Sequence, residues 1–440
     1  MFPSSPPMDP NETNWIVHVN ANLRCMPDDE QQYWKDPSIY RVPPSITDLN
    51  PKAYQPQVVS FGPYHYGDPR LSSMEEHKHR VLLHFLRYYR KSLERFFESL
   101  REVAHKLEDS YDNLDQKWKE GTGSKFLELM ITDGCFMLEI MRIATLPRSE
   151  AENNGYAPND PIFSIHRLEC IAPYIRRDML LLENQLPILV LYQLVAVANN
   201  GREDDVNELI GKFYFPGEKK KFRGLGRCLH VMDVFRRGSL MEPEEVHHER
   251  KNVGFEETEP IIRSATELTE AGIKFGKSKT NSLKNIFFAK GQLKLPVFTV
   301  DDTTESMFLN AMTFERLHIK AGNEVTSYVT FMDKIINNEQ DVALLHTEGI
   351  IHNDFGSNKA VAKLFNSLCT EVTLPSNENL DDVQQKISKH CKKRRNKWRA
   401  ILNRTYFRSP WTILSFTAAI FLFTLTIMQA VYTVLRYHAK

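Results

Sequence analysis

The stretch that decides the architecture runs from Trp411 to Leu435 and reads WTILSFTAAIFLFTLTIMQAVYTVL. These 25 residues carry no charge, and twelve of them are Leu, Ile, Phe or Val. A helix of this length spans about 37 Å, more than the roughly 30 Å of hydrocarbon in a bilayer. The stretch therefore predicts a single transmembrane helix. Its side chains expected to contact lipid include Trp411, Phe416, Phe421, Leu425, Val431 and Leu435.

Insertion of this helix into a bilayer is expected to be favourable by roughly 4–7 kcal/mol, since each large apolar side chain contributes about 0.3–0.6 kcal/mol. Its Ser and Thr hydroxyls are expected to bond to carbonyls of the same helix, which lowers their cost in lipid. A buried core helix is the alternative, but core helices are usually shorter and carry a polar stripe.

A strongly basic segment precedes the span. Residues 386–408 contain ten Lys or Arg and no Asp or Glu, whereas only Arg436 and Lys440 follow the span. Because Lys and Arg are enriched in cytoplasmic flanks, we expect the N-terminal body to face the cytosol. The cations are also expected to attract the anionic lipid head groups of that leaflet. A helix from about Leu380 is expected to run through this segment, whose densest part comprises Lys392, Lys393, Arg394, Arg395, Lys397 and Arg399.

Charge and cysteine usage limit the functions open to the rest of the chain. The formal net charge is zero, but residues 1–385 hold 44 basic against 56 acidic residues, a net charge of −12. An acidic body of this kind is not expected to bind nucleic acid. The six cysteines are scattered, as is usual for reduced thiols in the cytosol, and no secretory signal begins the chain. We therefore expect a C-terminal anchor in the plasma membrane or the endoplasmic reticulum.

Composition and periodicity divide the chain into five parts. They are a disordered leader (1–38), a mainly α-helical globular body (39–385), the basic juxtamembrane segment (386–408), the transmembrane helix (411–435) and a short tail (436–440). The body is expected to contain many helices because apolar residues recur there at steps of three and four.

Two helices stand out in the body. A one-faced apolar stripe from Met74 to about Lys117 predicts one long helix. Residues 124–145 are apolar nearly all round, which predicts a core helix with Ser124 as its cap. Within it, Gly134 is expected to let a neighbouring helix approach closely.

A further helical stretch is interrupted at Pro187. The polar residues just before it, Glu183, Asn184 and Gln185, are expected to satisfy amides that are freed where the helix breaks.

Three further features are expected in the second half of the body. The charged residues 238–260 predict a mobile loop. Ser264 and Glu267 have the spacing of a capping box at the start of a helix. Alternating runs on both sides of Lys290-Gly291 predict one small β-hairpin at about 283–300.

The sequence contains no complete catalytic motif. His352 and Asp354 resemble part of a kinase catalytic loop, but Lys359 stands where the metal-binding Asn is required. His77 and His79 lack the spacing of zinc ligands on a helix. We therefore predict no catalytic residue, no metal ion and no cofactor, and a protein that is not an enzyme.

Six longer motifs occur in a fixed order along the body. They read VSFGPYHYG (59–67), MEEHK (74–78), DGCFMLE (133–139), LENQLP (182–187), ATELTEAG (265–272) and SYVTFMD (327–333). With these motifs the chain resembles the plant domain-of-unknown-function 247 family from Ile39 to its C-terminus. The resemblance implies a plant protein with a C-terminal transmembrane helix and no established enzymatic activity. Some grass members of the family are associated with self-incompatibility.

Four polar residues inside these motifs are candidates for a ligand site: Asp133, Glu139, Glu183 and Asn184. They either satisfy neighbouring groups of the fold or line one polar pocket. The leading hypothesis is a membrane-anchored interaction or signalling protein that binds an unknown protein partner. One alternative is an enzyme or ligand-binding protein that uses this pocket. The other is an extracellular recognition module related to self-incompatibility.

Overall fold

The structure, a computed structural model, describes Val17 and residues 37–119, 123–151, 155–217, 222–242, 263–369, 378–406 and 410–438. It confirms the predicted mainly helical fold with a small amount of strand. Nearly all of the predicted leader and most of the predicted loop at 238–260 lie outside the described residues.

Up to Ser239, the elements that the structure describes are helices and 3₁₀ turns, with one isolated bridge between Ile39 and Tyr111. The helices are α1 (Pro44–Thr47), α2 (Pro51–Tyr54), α3 (Ser72–Tyr89), α4 (Leu93–Arg101), α5 (Ala104–Asp109), α6 (Ser124–Ala144), α7 (Arg148–Ala151), α8 (Ile165–Asp178), α9 (Ile188–Asn199), α10 (Glu203–Tyr214) and α11 (Val231–Ser239), with 3₁₀ turns at Pro69–Leu71 and Gln116–Trp118.

The second part mixes helices with short strands. Its helices are α12 (Ala265–Glu270), α13 (Thr304–Leu317), α14 (Glu324–Ile335), α15 (Glu339–Thr347), α16 (Asn358–Leu368), α17 (Glu378–Lys392), α18 (Arg394–Tyr406) and α19 (Pro410–His438), with a 3₁₀ turn at Ile319–Ala321. Its strands are β1 (Lys274–Lys277), β2 (Phe287–Ala289), β3 (Gln292–Leu295), β4 (Phe298–Val300) and β5 (Ile351–Asn353).

The first core forms around α6, which is buried on nearly every side as its sequence predicts. A Cβ atom at Gly134 of α6 would lie 2.5 Å from the Leu194 side chain and 3.0 Å from that of Val190, both on α9. The close approach predicted at this glycine is therefore confirmed. The predicted cap is wrong, because the residue before α6 is the left-handed Gly123 and Ser124 is already the first helical residue.

The single long helix predicted from Met74 to Lys117 is also wrong. Helix α3 ends at Tyr89, and Arg90 adopts a left-handed conformation with φ of 53°. This break lets α3 pack against α6, whereas α4 packs against α9 as well as α6. The apolar stripe continues across the break because both segments face the same core. Periodicity alone therefore gave no signal for the turn.

The predicted hairpin is confirmed in shorter form. Strands β2 and β3 pair antiparallel around Lys290 and Gly291, whose φ values of 50° and 79° are those of a tight hairpin turn. Strand β3 stops before Pro296, which has no N–H to donate to a ladder. The residues beyond it form β4, which pairs in parallel with the distant β5. Strand β1, not predicted, completes a three-stranded sheet by pairing in parallel with β3.

A second core lies among the strands and helices α12 to α17. A small cluster containing Tyr54, Leu182 and Phe314 joins it to the first core. Across the same joint, the buried Arg236 of α11 donates a hydrogen bond of 2.8 Å to Glu315 of α13. The two parts of the body are thus held together by apolar packing and by a buried ion pair.

The basic segment is folded against the body. Val383 and Ile387 of α17 belong to the second core, and α18 packs against α12. The single helix predicted from about Leu380 is interrupted at Lys393, where α17 ends and α18 begins. The buried side chain of Asn396 fixes this bend by donating a hydrogen bond of 2.9 Å to the His390 carbonyl.

Candidate functional site

Three buried polar side chains, those of Asp133, Asp178 and Asn184, bind residues 57–62, called here the 57–62 segment. The Asp178 carboxylate accepts hydrogen bonds from the amides of residues 57, 58 and 59, at 3.0, 2.7 and 3.1 Å. The Asn184 side chain accepts from the Phe61 amide at 2.7 Å, and Asp133 accepts from the Gly62 amide at 2.8 Å. This segment has no regular secondary structure, so buried side chains take the place of a backbone ladder.

Asp133 is also paired with a buried lysine. The Lys78 ammonium lies 2.7 Å from the Asp133 carboxylate, and neither side chain is exposed. The same ammonium donates to the Ser60 carbonyl at 2.6 Å and to Glu75 at 2.7 Å. Burial raises the pKa of Asp133 to about 6, although the charge of Lys78 opposes the shift. This cluster locks α3, α6 and the 57–62 segment together.

Glu139 belongs to a separate cluster, six residues further along α6. Arg142 donates two hydrogen bonds of 2.8 Å to its carboxylate, and the His84 ring lies 3.3 Å away. Burial by itself would raise the pKa of Glu139, but the bonds from Arg142 and His84 outweigh it and lower the pKa. The carboxylate is thus held ionised and fully bonded.

Glu183, Asn184 and Gln185 lie between α8 and α9 and bind distant parts of the chain. Glu183 accepts from the Val42 amide at 2.6 Å. Asn184 donates to the Val59 and Asp178 carbonyls at 3.0 and 2.9 Å. Gln185 donates to two carbonyls at the end of α8. The prediction that these residues satisfy amides freed before Pro187 is therefore wrong. They satisfy carbonyls left by α8 and amides of remote segments.

The four candidate ligand residues are thus distributed over contacts that serve folding. Asp133 and Asn184 come together on neighbouring amides of the 57–62 segment. Glu139 binds Arg142, and Glu183 binds Val42 with Arg41 at 3.8 Å. Each of the four acceptors is occupied by a group of the chain itself.

A cavity of about 480 Å³ lies elsewhere, between the α4–α5 junction, α9 and the start of α10, and none of the four candidates lines it. Its walls combine apolar side chains with Lys106, Arg202 and Arg227. Arg227 is already 3.5 Å from Glu203, another wall residue, so the positive charge is partly neutralised. No local pattern in the sequence marks this cavity, because its walls come from four separate segments.

The kinase-like stretch is a connection between β5 and α16. His352 is exposed within β5, and the Asp354 amide donates to the Val300 carbonyl at 2.9 Å. Asn358 accepts a hydrogen bond from Asn353 at 3.0 Å, which closes the turn before α16. Within the described residues, no group of three or more His, Cys, Asp or Glu side chains is placed to hold a metal ion.

The densest cations lie on the exposed side of the bend between α17 and α18. Lys392, Lys393, Arg394, Arg395 and Lys397 are all exposed, and α18 turns other residues towards the body. Arg399 is exposed as well, although its guanidinium group would be 3.0 Å from a Cβ atom at Gly272. The fold thus fixes the position of these charges without neutralising them by burial.

Helix α19 is exposed at each of its described side chains. The stretch Leu414–Arg436 is long and apolar enough to cross a membrane, and none of it is buried. Its hydroxyls bond within the helix, as predicted: those of Ser415, Thr424 and Thr426 donate to carbonyls four residues earlier at 2.8–2.9 Å. The outer surface of α19 is therefore almost wholly apolar.

The sequence of this chain is similar to those of other plant proteins. The sequence model of the DUF247 family, described as a plant protein of unknown function, matches residues 39–425. The UPF0481 protein At3g47200 of Arabidopsis thaliana is 34% identical over 91% of this chain and 86% of its own. The putative UPF0481 protein At3g02645 of the same plant is 22% identical over 95% of this chain and 94% of its own. No solved structure matches the chain.

Proposed function

We propose that this chain, which belongs to the plant family of unknown function DUF247, is a membrane-anchored, non-enzymatic interaction protein whose body lies in the cytosol. The observation that carries the proposal is the complete exposure of the apolar stretch Leu414–Arg436. Soluble monomeric proteins rarely expose contiguous apolar patches above a few hundred Å². A core helix of the same composition would be packed against the body, and α19 is not. A bilayer would cover it.

The exposed cations support the proposed orientation. The bend between α17 and α18 places five Lys or Arg side chains in solvent just before the span. Charges close to a transmembrane helix are retained on the cytoplasmic side, where they also meet anionic lipid. The body that precedes them would then face the cytosol and present its acidic surface to protein partners.

The state of the motif residues supports a role other than catalysis. A catalytic carboxylate needs an open position for a substrate or a proton. Asp133 and Glu139 are buried: Asp133 is bonded to the Gly62 amide and Lys78, and Glu139 to Arg142. These contacts explain why the motifs contain acids without invoking a reaction.

The anchor is tested by placing charges in the middle of the span. Replacing both Phe421 and Leu425 with Arg should cost roughly 6–8 kcal/mol of insertion free energy, more than the roughly 4–7 kcal/mol expected in favour. The wild-type chain should remain with membranes after an alkaline carbonate wash, and F421R/L425R should be released. The matched control, F421L/L425I, should behave like the wild type. Recovery of the wild-type chain in the supernatant without detergent would overturn the proposal.

Orientation is tested separately by protease protection on sealed microsomes. A tag at the N-terminus should be digested without detergent, whereas a short tag after Lys440 should be protected. Protection of the N-terminal tag would contradict the cytosolic body and favour the extracellular recognition module instead.

A further inference from the structure

Helix α18 is fixed on the body by one face and presents a mixed cationic and apolar face to solvent. Asn396 and Ala400 are 7% and 9% exposed, and they lie one turn apart on the face towards α12. Trp398 and Ile401 are 61% and 47% exposed. A large indole is thus held in solvent on a helix that the body fixes by its opposite face.

The exposed residues form one stripe. Positions 394, 398 and 401 follow the i, i+4, i+7 spacing of a single helix face, opposite the buried pair. Arg394 continues the stripe of Trp398 and Ile401, while Arg395 and Lys397 flank it on both sides. Lys and Arg beside Trp and Ile are the composition of helices that lie in the plane of a membrane surface.

The connection to α19 keeps this stripe near the bilayer. Helix α18 ends at Tyr406 and α19 begins at Pro410, four residues later. Even a fully extended connection of this length spans at most about 14 Å. The bend held by Asn396 and the packing on α12 prevent α18 from rotating independently of the body.

We propose that α18 is an interfacial helix that seats the body on an anionic leaflet. Trp398 and Ile401 insert among the lipid head groups, and Arg394, Arg395 and Lys397 contact their phosphates and carboxylates. Interfaces favour indole rings, whose apolar body and polar N–H suit the boundary between hydrocarbon and water. The inference rests on the proposed function, because α19 brings α18 to the membrane. It adds that the body has a fixed orientation there.

The test uses the full chain in nanodiscs and the fluorescence of its tryptophans. Lipids carrying a nitroxide close to the head group quench only indoles that lie in the interface. The difference between the wild type and W398F reports on Trp398, and the difference from W411F reports on the 76% exposed Trp411 at the start of the span. W118F serves as the matched control, since Trp118 is 6% exposed within the body. Each protein is measured in zwitterionic and in partly anionic nanodiscs.

We expect Trp398 to be quenched by the nitroxide lipid, and more strongly in anionic than in zwitterionic nanodiscs. The anionic excess should disappear in R394Q/R395Q/K397Q and persist in R394K/R395K, which keeps the charges. It should also shrink at roughly 1 M salt, where the screening length falls to about 3 Å. Thermal unfolding of both variants should match the wild type, because these side chains are exposed.

Three outcomes would overturn the inference. In the first, Trp411 is quenched but Trp398 is not, so that the anchor stands and the seating of α18 fails. In the second, neither is quenched, and the proposed anchor itself fails. In the third, a single-stranded oligonucleotide shields Trp398 from an aqueous quencher better than anionic nanodiscs do, which would assign this face to nucleic acid.

Discussion

The fold buries several of its acids and leaves most of its C-terminal bases in solvent. Asp133 and Asp178 are fully buried, and the chain supplies their partners in the form of Lys78 and backbone amides. Arg394 and Lys397 remain in solvent although their helix is packed on the body. Charges that are paired inside the fold hold its segments together, and charges that it leaves exposed are available to an outside partner. A binding surface is therefore expected on the C-terminal helices rather than at the motifs.

Among the substitutions that test this comparison, Lys78→Met is expected to lower the free energy of unfolding most. Removing the ammonium leaves Asp133 buried without its charge partner, which typically costs about 3–5 kcal/mol. Urea unfolding of the detergent-solubilised chain measures the loss. Lys397→Met is the matched control: an exposed change of this kind should stay within about 0.5 kcal/mol. Equal effects of the two substitutions would remove the distinction between the two regions.

A buried base is expected to make the stability of the body depend on pH. His230 has no exposed surface, and burial lowers its pKa from 6.5 to about 4. Between these values the unfolded chain binds more protons than the folded one. The stability present above pH 6.5 should therefore be lost as the pH falls towards 4, by roughly 3 kcal/mol.

The pH effect is isolated by comparing variants. His230→Asn should flatten the difference in unfolding free energy between pH 7 and pH 4.5, whereas His105→Asn, at an exposed site, should leave the profile unchanged. Asp133 acts in the opposite direction, because its raised pKa favours the folded state as the pH falls below 6. A profile unaffected by His230→Asn would contradict the prediction.

The next largest loss of stability is expected from disturbing the packing of α6 beside the buried Asp133. Gly134→Ala adds a methyl group 2.5 Å from the Leu194 side chain, and such overpacking costs about 1–3 kcal/mol. Gly276→Ala is a suitable control because nothing lies within 4 Å of its new Cβ atom. A thermal shift measured for both variants decides the point, and a neutral Gly134→Ala would mean that α9 can move away from α6.

The smallest loss of unfolding free energy is expected at the N-terminal cap of α12, the helix against which α18 packs. The Ser264 hydroxyl accepts from the Glu267 amide at the start of α12. Ser264→Ala should cost about 1 kcal/mol, and Ser264→Asp should restore most of it because the cap is kept. Unfolding of the two variants measured side by side provides the test, and a larger loss for Ser264→Asp would argue against a capping role.

Local patterns predicted the most apolar helix of the body, one helix cap and one turn. Helix α6 followed from apolar residues on all sides, the start of α12 from Ser264, and the hairpin from Lys290-Gly291. The break at Arg90 was missed because the apolar stripe continues through it. The pairing of β1 with β3 and of β4 with β5 was missed because short strands take their partners from distant positions.

The candidate polar site could likewise be predicted only in part from the sequence. The sequence identified Asp133, Glu139, Glu183 and Asn184 as polar residues within apolar surroundings, but their partners are set by tertiary structure. Asn184 binds the Phe61 amide, 123 residues away in the chain. Lys78 belongs to a stretch that reads as an ordinary solvated helix turn, and no local signal marks it as buried. Composition could identify the cations of α18 as a group, but not which of its faces remains exposed.

The four-residue step from Tyr406 to Pro410 has a consequence for how this protein would meet other molecules. With α19 in a bilayer, a tether this short confines the body to a layer one protein diameter deep. Encounters would then depend on surface density and lateral diffusion, and dilution of the cytosol would hardly affect them. A partner that is itself attached to the same membrane gains most from this arrangement, even when its intrinsic affinity is weak.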